Sequence, residues 1–327
     1  MIYKPSQACL NEIALSQATA LAYAAATAQA LASESKASNT RRAYTSDWEH
    51  FDAWSKRVGL PSLPAAPETI ALYVAAHADT LKPATVSRRL ASISTAHRAA
   101  GLENPASMRH GSVADVVRGL RRVKGTVQAG KSALTGENIR FLIAGLPSTL
   151  QGDRDAALLL LGFSGAFRRS ELVALDVDDL EFGEKGLRIT LARSKTDQEG
   201  QGRYVGIPYS ANHMVCPIRR LQRWLSGAAI TNGPVFRPMN KHGHVSPERL
   251  SGQGVWLVVR RVCADAGMDA DEFGAHSLRS GFVTTALGAG KSETTIIGQT
   301  GHKSTIMLRR YHKEKDLFKN NAAEGLL

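Results

Sequence analysis

The chain has 327 residues, 43% of them hydrophobic, too long for one small core and too apolar for a disordered tail, so a globular protein of two domains is expected. Its 41 Lys+Arg against 29 Asp+Glu give a net charge of +12, an excess that points to a polyanionic partner because neutralising phosphates releases counterions. Three scattered cysteines (Cys9, Cys216 and Cys263) form no CxxC pair and no run of eighteen apolar residues occurs, which argues against a disulfide scaffold, a zinc finger or a membrane span and fits a reducing cytoplasm.

Residues 1–37 hold twelve alanines. The string ALAYAAATAQALA could pass for the end of a signal peptide, but Gln and Thr interrupt it. Glu12 and the lack of arginine speak against a transit peptide. A helical or flexible extension is expected there. Ser38-Asn39-Thr40 then offer caps for a helix in which Tyr44, Trp48, Phe51 and Trp54 recur at helical spacing before Gly59. These aromatics read as core. Pro67-Glu68 opens a second helix. Lys82-Pro83 opens a third, with Val86, Leu90, Ile93 and His97 on one face and Arg88 and Arg89 projecting. Ser112 caps a fourth, whose last turns carry Arg118, Arg121, Arg122 and Lys124; cations also suit a helix C-terminus, so no single one need touch a ligand. Residues 82–131 hold ten Lys/Arg against two Asp/Glu, whereas residues 132–327 hold 25 against 20. The basic excess is a patch.

The small, polar run TVQAGKSALT (126–135) reads as a linker. Domain boundaries follow: an extension over 1–37, a helical domain over 38–127 and a second domain over 128–327. In the second, Thr135 with Glu137-Asn138 starts a helix, and an apolar stretch runs from Asp155 to Phe163. A short β region comes next: LEF (180–182), then GLRITLARS with Leu187, Ile189 and Leu191 alternating against Arg188 and Thr190, then RYVGIPY (203–209) as hairpin partner. The rest reads as helix, with breaks at 231–247 and 288–292. The expected fold class is mainly α with a small antiparallel β-sheet.

Taken singly, the polar motifs are weak. An HxxR string such as His276-Ser277-Leu278-Arg279 arises about once by chance in a chain of this composition. Arg168 and Glu171 make an ordinary intrahelical pair, Lys195 an ordinary turn lysine, and His242-Gly243-His244 lacks the carboxylate or cysteine company of a metal site. Their order is what carries weight. GAFRRSELVAL, ARSKT in a hairpin, AHSLR, GHKS and RRYHK follow one another, with a nine-residue step from His302 to Tyr311. That pattern resembles the tyrosine recombinase (phage integrase) family. The likeness extends to the basic four-helix region before it, similar to the core-binding domain of Cre-like members, and covers roughly residues 38–320.

The resemblance implies a four-helix core-binding domain followed by an α+β catalytic domain, and a site-specific recombinase that cuts and rejoins duplex DNA through a 3′-phosphotyrosyl intermediate without metal, ATP or other cofactor. Arg168 and Arg279 match the two arginines whose planar forks grip phosphate oxygens. Glu171 matches an acidic residue orienting the first of them. Lys195 matches the general acid for the leaving 5′ oxygen, and His276 a residue that handles the nucleophile's proton or binds phosphate. His302 matches a position that contacts the phosphate or shapes the pocket, and Tyr311 the nucleophile. The extra residue in Gly165-Ala166-Phe167-Arg168 leaves Arg169 as an alternative catalytic arginine. Arg41, Arg42, Lys82, Arg88, Arg89, Arg121, Arg122 and Lys124 are candidates for DNA contact. The implied partners are double-stranded target sites with inverted repeats around a short spacer, and further copies of the chain in a tetramer, with the tail DLFKNNAAEGLL as a docking segment. A type IB topoisomerase and a non-catalytic DNA-binding relative stand as alternatives.

Overall fold

The computed structural model describes residues 22–24, 27, 38–125, 130–191, 202–302, 304, 305 and 308. It is mainly helical with one small sheet, and it divides into two compact units, Met1–Gln128 and Ala129–Leu327.

The first unit holds helices α1 (Ser38–Arg57), α2 (Pro67–Ala76), α3 (Pro83–Ala99) and α4 (Gly111–Lys124). Proline opens α2 and α3, where its missing N–H costs no helical hydrogen bond. Helix α1 packs on α3, and α2 on α4. Phe51, Trp54, Ile70, Tyr73, Ile93 and Val113 form the core, with Trp48 packed against it. The aromatics of α1 are therefore core residues. His97, also buried, is satisfied at both nitrogens: Nε2 accepts from Ala65 N (3.0 Å) and Nδ1 donates to Ile93 O (3.0 Å).

The second unit is built around α6 (Leu150–Ser164), which is buried on nearly every side from Gly152 to Gly162. A helix apolar all round must be wrapped, and α6 is packed by α8 (Pro217–Gly227) and α10 (Ala275–Gly288), with α5 (Gly136–Gly145) and α9 (Gly252–Asp265) also against it. Thr135 and Asn138 cap α5 reciprocally, and Thr149 caps α6. The charges at the start of α6 are matched: Asp155 takes Arg154 at 2.8 Å and also Arg261 of α9, and Asp153 takes Arg223 of α8 at 2.8 Å. Short helix α7 (Arg169–Ala174) precedes a three-stranded antiparallel sheet in the order β1 (Leu180–Gly183), β2 (Gly186–Leu191), β3 (Arg203–Pro208). Leu187, Ile189 and Leu191 face the core, paired with Ile207, Val205 and Arg203. Helix α11 (Glu293–Thr300) follows α10.

The stretch expected to be a uniform linker is more structured after Gly130. Ser132 N donates to Glu272 O (2.8 Å), Leu134 N to Ser277 O (3.0 Å), and Leu134 is fully buried. The reason is steric. At Gly281 of α10 a Cβ would lie 1.7 Å from Leu134 O, so the glycine lets this extended segment lie directly on the helix.

Candidate active site

The site is assembled where α6 turns into α7, at the start of β3, on α10, and at the end of α11. The α6–α7 corner is tight. At Gly165 a Cβ would meet the Phe167 ring at 2.2 Å, and Ala166 adopts φ +48, unusual for a side-chain-bearing residue. The turn points the Ala166 carbonyl at α10, where Arg279 Nη1 donates to it at 2.6 Å. Two motifs that lie far apart in sequence thus meet within two residues of Arg168.

Arg168 is the N-cap of α7. Glu171, one turn on, accepts from Arg168 N through Oε2 (2.9 Å) and from Arg168 Nη1 through Oε1 (2.6 Å). It thereby caps the helix and orients the guanidinium in one move. The Glu171 carboxylate is buried, while the Arg168 side chain keeps 15% of its surface accessible. Arg169 is exposed and lies across Gly252 at the start of α9, where a Cβ would come within 3.0 Å of its Nε. It is Arg168, then, whose guanidinium is held by Glu171.

His276 sits exposed in the first turn of α10, and Arg279, three residues on, is buried. His302, also buried, follows the left-handed Gly301 (φ +65) that ends α11. Thr300 Oγ1 bonds both Ile296 O and His302 Nδ1, each at 2.8 Å. A carbonyl can only accept, so the single Thr300 hydroxyl hydrogen goes to Ile296; Nδ1 of His302 is then the donor and Nε2 keeps its lone pair. Burial, reinforced by Arg279, Arg168, His276 and Arg203, lowers the His302 pKa to about 4, so the ring is neutral at physiological pH. Lys195 and Tyr311, together with the tail after residue 311, lie outside the described residues.

Three residues of the site were absent from the sequence expectation: Arg203, Gln299 and Thr300. Arg203 Nη1 donates to Gln299 O (2.9 Å), and its Nη2 lies 3.5 Å from Glu171 Oε2. Gln299 Nε2 donates to Ser164 O (2.8 Å) and Gly206 O (3.1 Å). A signal for Arg203 did exist. Two-residue alternation places it on the same face as the buried Val205 and Ile207, where an arginine survives only if paired.

Residues 132–317 match the model of the phage integrase family. The chain is 44% identical over 294 residues to an integrase/recombinase XerD homolog of Selenomonas ruminantium, covering 88% of this chain and 85% of that one. This chain is a tyrosine recombinase of the phage integrase family. A tyrosine recombinase of Synechococcus elongatus is 29% identical over 315 residues, with 91% of this chain and 92% of the relative covered. Among solved structures, the Tn1549 transposon integrase in complex with transposon right end DNA aligns with a TM-score of 0.58 at 16% identity, over 85% of this chain and 90% of that one. A lambda integrase dimer bound to a COC′ core site aligns with a TM-score of 0.56 at 19% identity, over 90% and 95%. These alignments bear on the fold, a mainly helical one with a small sheet. Among the described residues, this recombinase has no group of three or more His, Cys, Asp or Glu placed to hold a metal ion, His242 and His244 included, and no helix long and apolar enough to cross a membrane.

The proposed DNA-contact residues fall in two groups. Arg42, Lys82, Arg121, Arg122 and Lys124 are exposed and Arg41 is partly so. Lys124 reaches back to Asp79 O (2.7 Å) and Arg121 to Ser87 Oγ (3.2 Å). Arg88 and Arg89, expected to project together, are bound to the same carboxylate of α1. Arg88 is bidentate to Asp47 (2.6 and 3.0 Å) with half its side chain exposed. Arg89 is turned inward, 12% accessible, donating to Tyr73 Oη at 2.8 Å.

Proposed function

We propose that this tyrosine recombinase cuts and rejoins duplex DNA at specific sites through a 3′-phosphotyrosyl intermediate on Tyr311. As the scissile phosphate becomes pentavalent, charge builds on its nonbridging oxygens, and preorganised cations are the general remedy. Arg168 and Arg279 supply them. The Tyr311 oxygen forms the new bond to phosphorus while the bond to the 5′ oxygen breaks. His276 takes the phenolic proton and Lys195 delivers one to the departing 5′ oxygen. A partner strand's 5′ hydroxyl then reverses the step, and because the phosphoester bond is conserved throughout, the cycle draws on no ATP, metal or other cofactor.

His302 acts as a neutral group in the free protein. Burial is the main cause of its lowered pKa; a phosphate bound among Arg168 and Arg279 would offset the smaller part that comes from these cations and offer the ring oxygens to hydrogen-bond. The observation that carries the reading is the convergence of Arg168, Arg279 and His302, from three separated segments, around one corner stabilised by Glu171. Neighbours of the same fold bound to core-site and transposon-end DNA support it.

In this reading the first unit is the core-binding domain, contacting phosphate through Arg42, Lys82, Arg121, Arg122 and Lys124, with Arg41 and Arg88 at its margin. Four protomers would pair two sites of inverted repeats in the cytoplasm, with the tail after Tyr311 docking between copies. The test is a nicked suicide duplex carrying a target recovered by selection from randomised DNA. Wild type should form a covalent adduct, and Tyr311→Phe should abolish it while leaving DNA affinity nearly intact. Loss of both together would sink the assignment of the nucleophile. Relaxation of plasmids lacking any target would instead mark a topoisomerase.

A further inference from the structure

We propose that Arg203 is a positioning residue of this site: a single guanidinium that clasps the helix presenting Arg168 to the turn presenting His302. The inference rests on the recombinase reading for its catalytic consequence, but the clasp itself is a matter of geometry.

Arg203 stands at an inward position of β3, opposite Leu191, with 19% of its side chain accessible. The two ends of its fork go to different places. Nη2 approaches the carboxylate of Glu171, the same group that caps α7 and holds Arg168. Nη1 donates to the carbonyl of Gln299 in the last turn of α11, three residues before His302. Gln299 returns the contact: its amide donates to Gly206 O on the same strand and to Ser164 O where α6 ends. Strand β3 and the end of α11 are therefore locked from both sides, and the lock extends to the corner that precedes Arg168.

The turn into His302 is shaped around this guanidinium. Gly301 has φ +65, and a Cβ there would lie 3.0 Å from Arg203 Nε, an atom buried without a hydrogen-bond partner among the described residues. A buried donor left unmatched has a cost, and it is tolerated where the flat face of the guanidinium must lie against the turn. Charge argues the same way. One carboxylate serves two arginines, so the cluster retains positive charge; burial and the neighbouring Arg168 lower the Arg203 pKa, yet Glu171 opposes them. Arg203 thus adds to the field at the site while its hydrogen bonds fix positions. The planar fork is what makes this possible: a lysine would keep the charge but could not span both acceptors in fixed geometry.

The full-length protein with Arg203→Lys tests the idea, with Arg203→Met alongside. Single-turnover cleavage of the nicked suicide duplex at saturating protein should fall about a hundredfold in both, the scale of loss for an ångström of misplacement, while the Kd for the same duplex stays within about twofold. Hydrogen exchange without DNA should rise about tenfold across residues 293–302 and around Arg168 in both variants. An Arg203→Lys protein that cleaves and exchanges like wild type overturns the proposal. So does faster exchange confined to β3 with cleavage falling only as folded protein is lost. If wild type forms no adduct at a verified site but both variants still loosen 293–302, the recombination reading fails and the clasp stands, since exchange is read without DNA.

Discussion

Each unit contains a buried carboxylate shared by two arginines, and the two are used differently. In the first unit Asp47 of α1 binds Arg88 bidentately and lies 3.6 Å from Arg89, both residues of α3. These contacts hold two adjacent helices together and leave Arg88 half in solvent. In the second, Glu171 binds Arg168 at the N-cap of its own helix and Arg203 from a strand, and Arg203 goes on to α11. Both of these arginines are largely enclosed, beside Arg279 and a neutral histidine. The pair on Asp47, drawn from one neighbouring helix, braces two helices. The pair on Glu171, drawn from the turn before α7 and from a strand, fixes the placement of the groups around His302.

That contrast breaks if the matching neutral substitutions behave alike. Glu171→Gln is expected to lower single-turnover cleavage by about tenfold to a hundredfold, since Arg168, the guanidinium proposed to grip the phosphate, loses its orienting partner. Asp47→Asn should cost about 2 kcal/mol in urea denaturation, discounted because Arg88 is half exposed, with the cleavage rate of bound complex unchanged. A tenfold loss of cleavage in Asp47→Asn would show that the brace also reaches the chemistry.

A smaller effect sharpens the picture within the first unit. Neutralising Arg121 or Arg122 should reduce the slope of log affinity against log salt by about one unit each, as for one lost phosphate contact. Arg89→Gln should leave the slope alone and lower the melting temperature instead, because its guanidinium is spent on Tyr73 and Asp47. Equal slopes for all three would place the DNA elsewhere on the unit.

The smallest effect concerns pH. His302 has its pKa lowered from 6.5 to about 4 by folding. The unfolded chain therefore binds more protons in that interval, so this contribution to stability is complete above about pH 6.5 and lost as pH falls toward 4. Acid titration monitored by circular dichroism should show the loss over that window, and His302→Gln should flatten it. A His302 resonance titrating near 6.5 in the free protein would contradict the burial assigned to it.

Much of the fold was legible. Helix starts at Pro67, Pro83 and Thr135 are local chemistry, as is the alternation of Leu187, Ile189 and Leu191, and these elements fall where the sequence places them. The order of the motifs singled out Arg168, Glu171, His276, Arg279 and His302 as candidates, and the structure brings Arg168, Glu171, Arg279 and His302 to one corner. Other features were not. Arg88 and Arg89 look equivalent on paper, yet one helical step separates a half-exposed side chain from an inward one. The run 126–135 looks uniformly loose, yet Leu134 is fully buried because Gly281, far along the chain, admits its backbone.

Local propensity, period and motif order are short-range properties, and they were enough to determine the helices, the hairpin, the basic patch and the family. Whether a given arginine is a phosphate ligand, a brace or a clasp depends on which distant carboxylate and carbonyl its fork meets. Only the tertiary structure decides that, because the energy of a buried charge is set by its surroundings rather than by its neighbours in sequence. Arg203, unremarked in the string RYVGIPY, becomes central once Glu171 and Gln299 are folded against it.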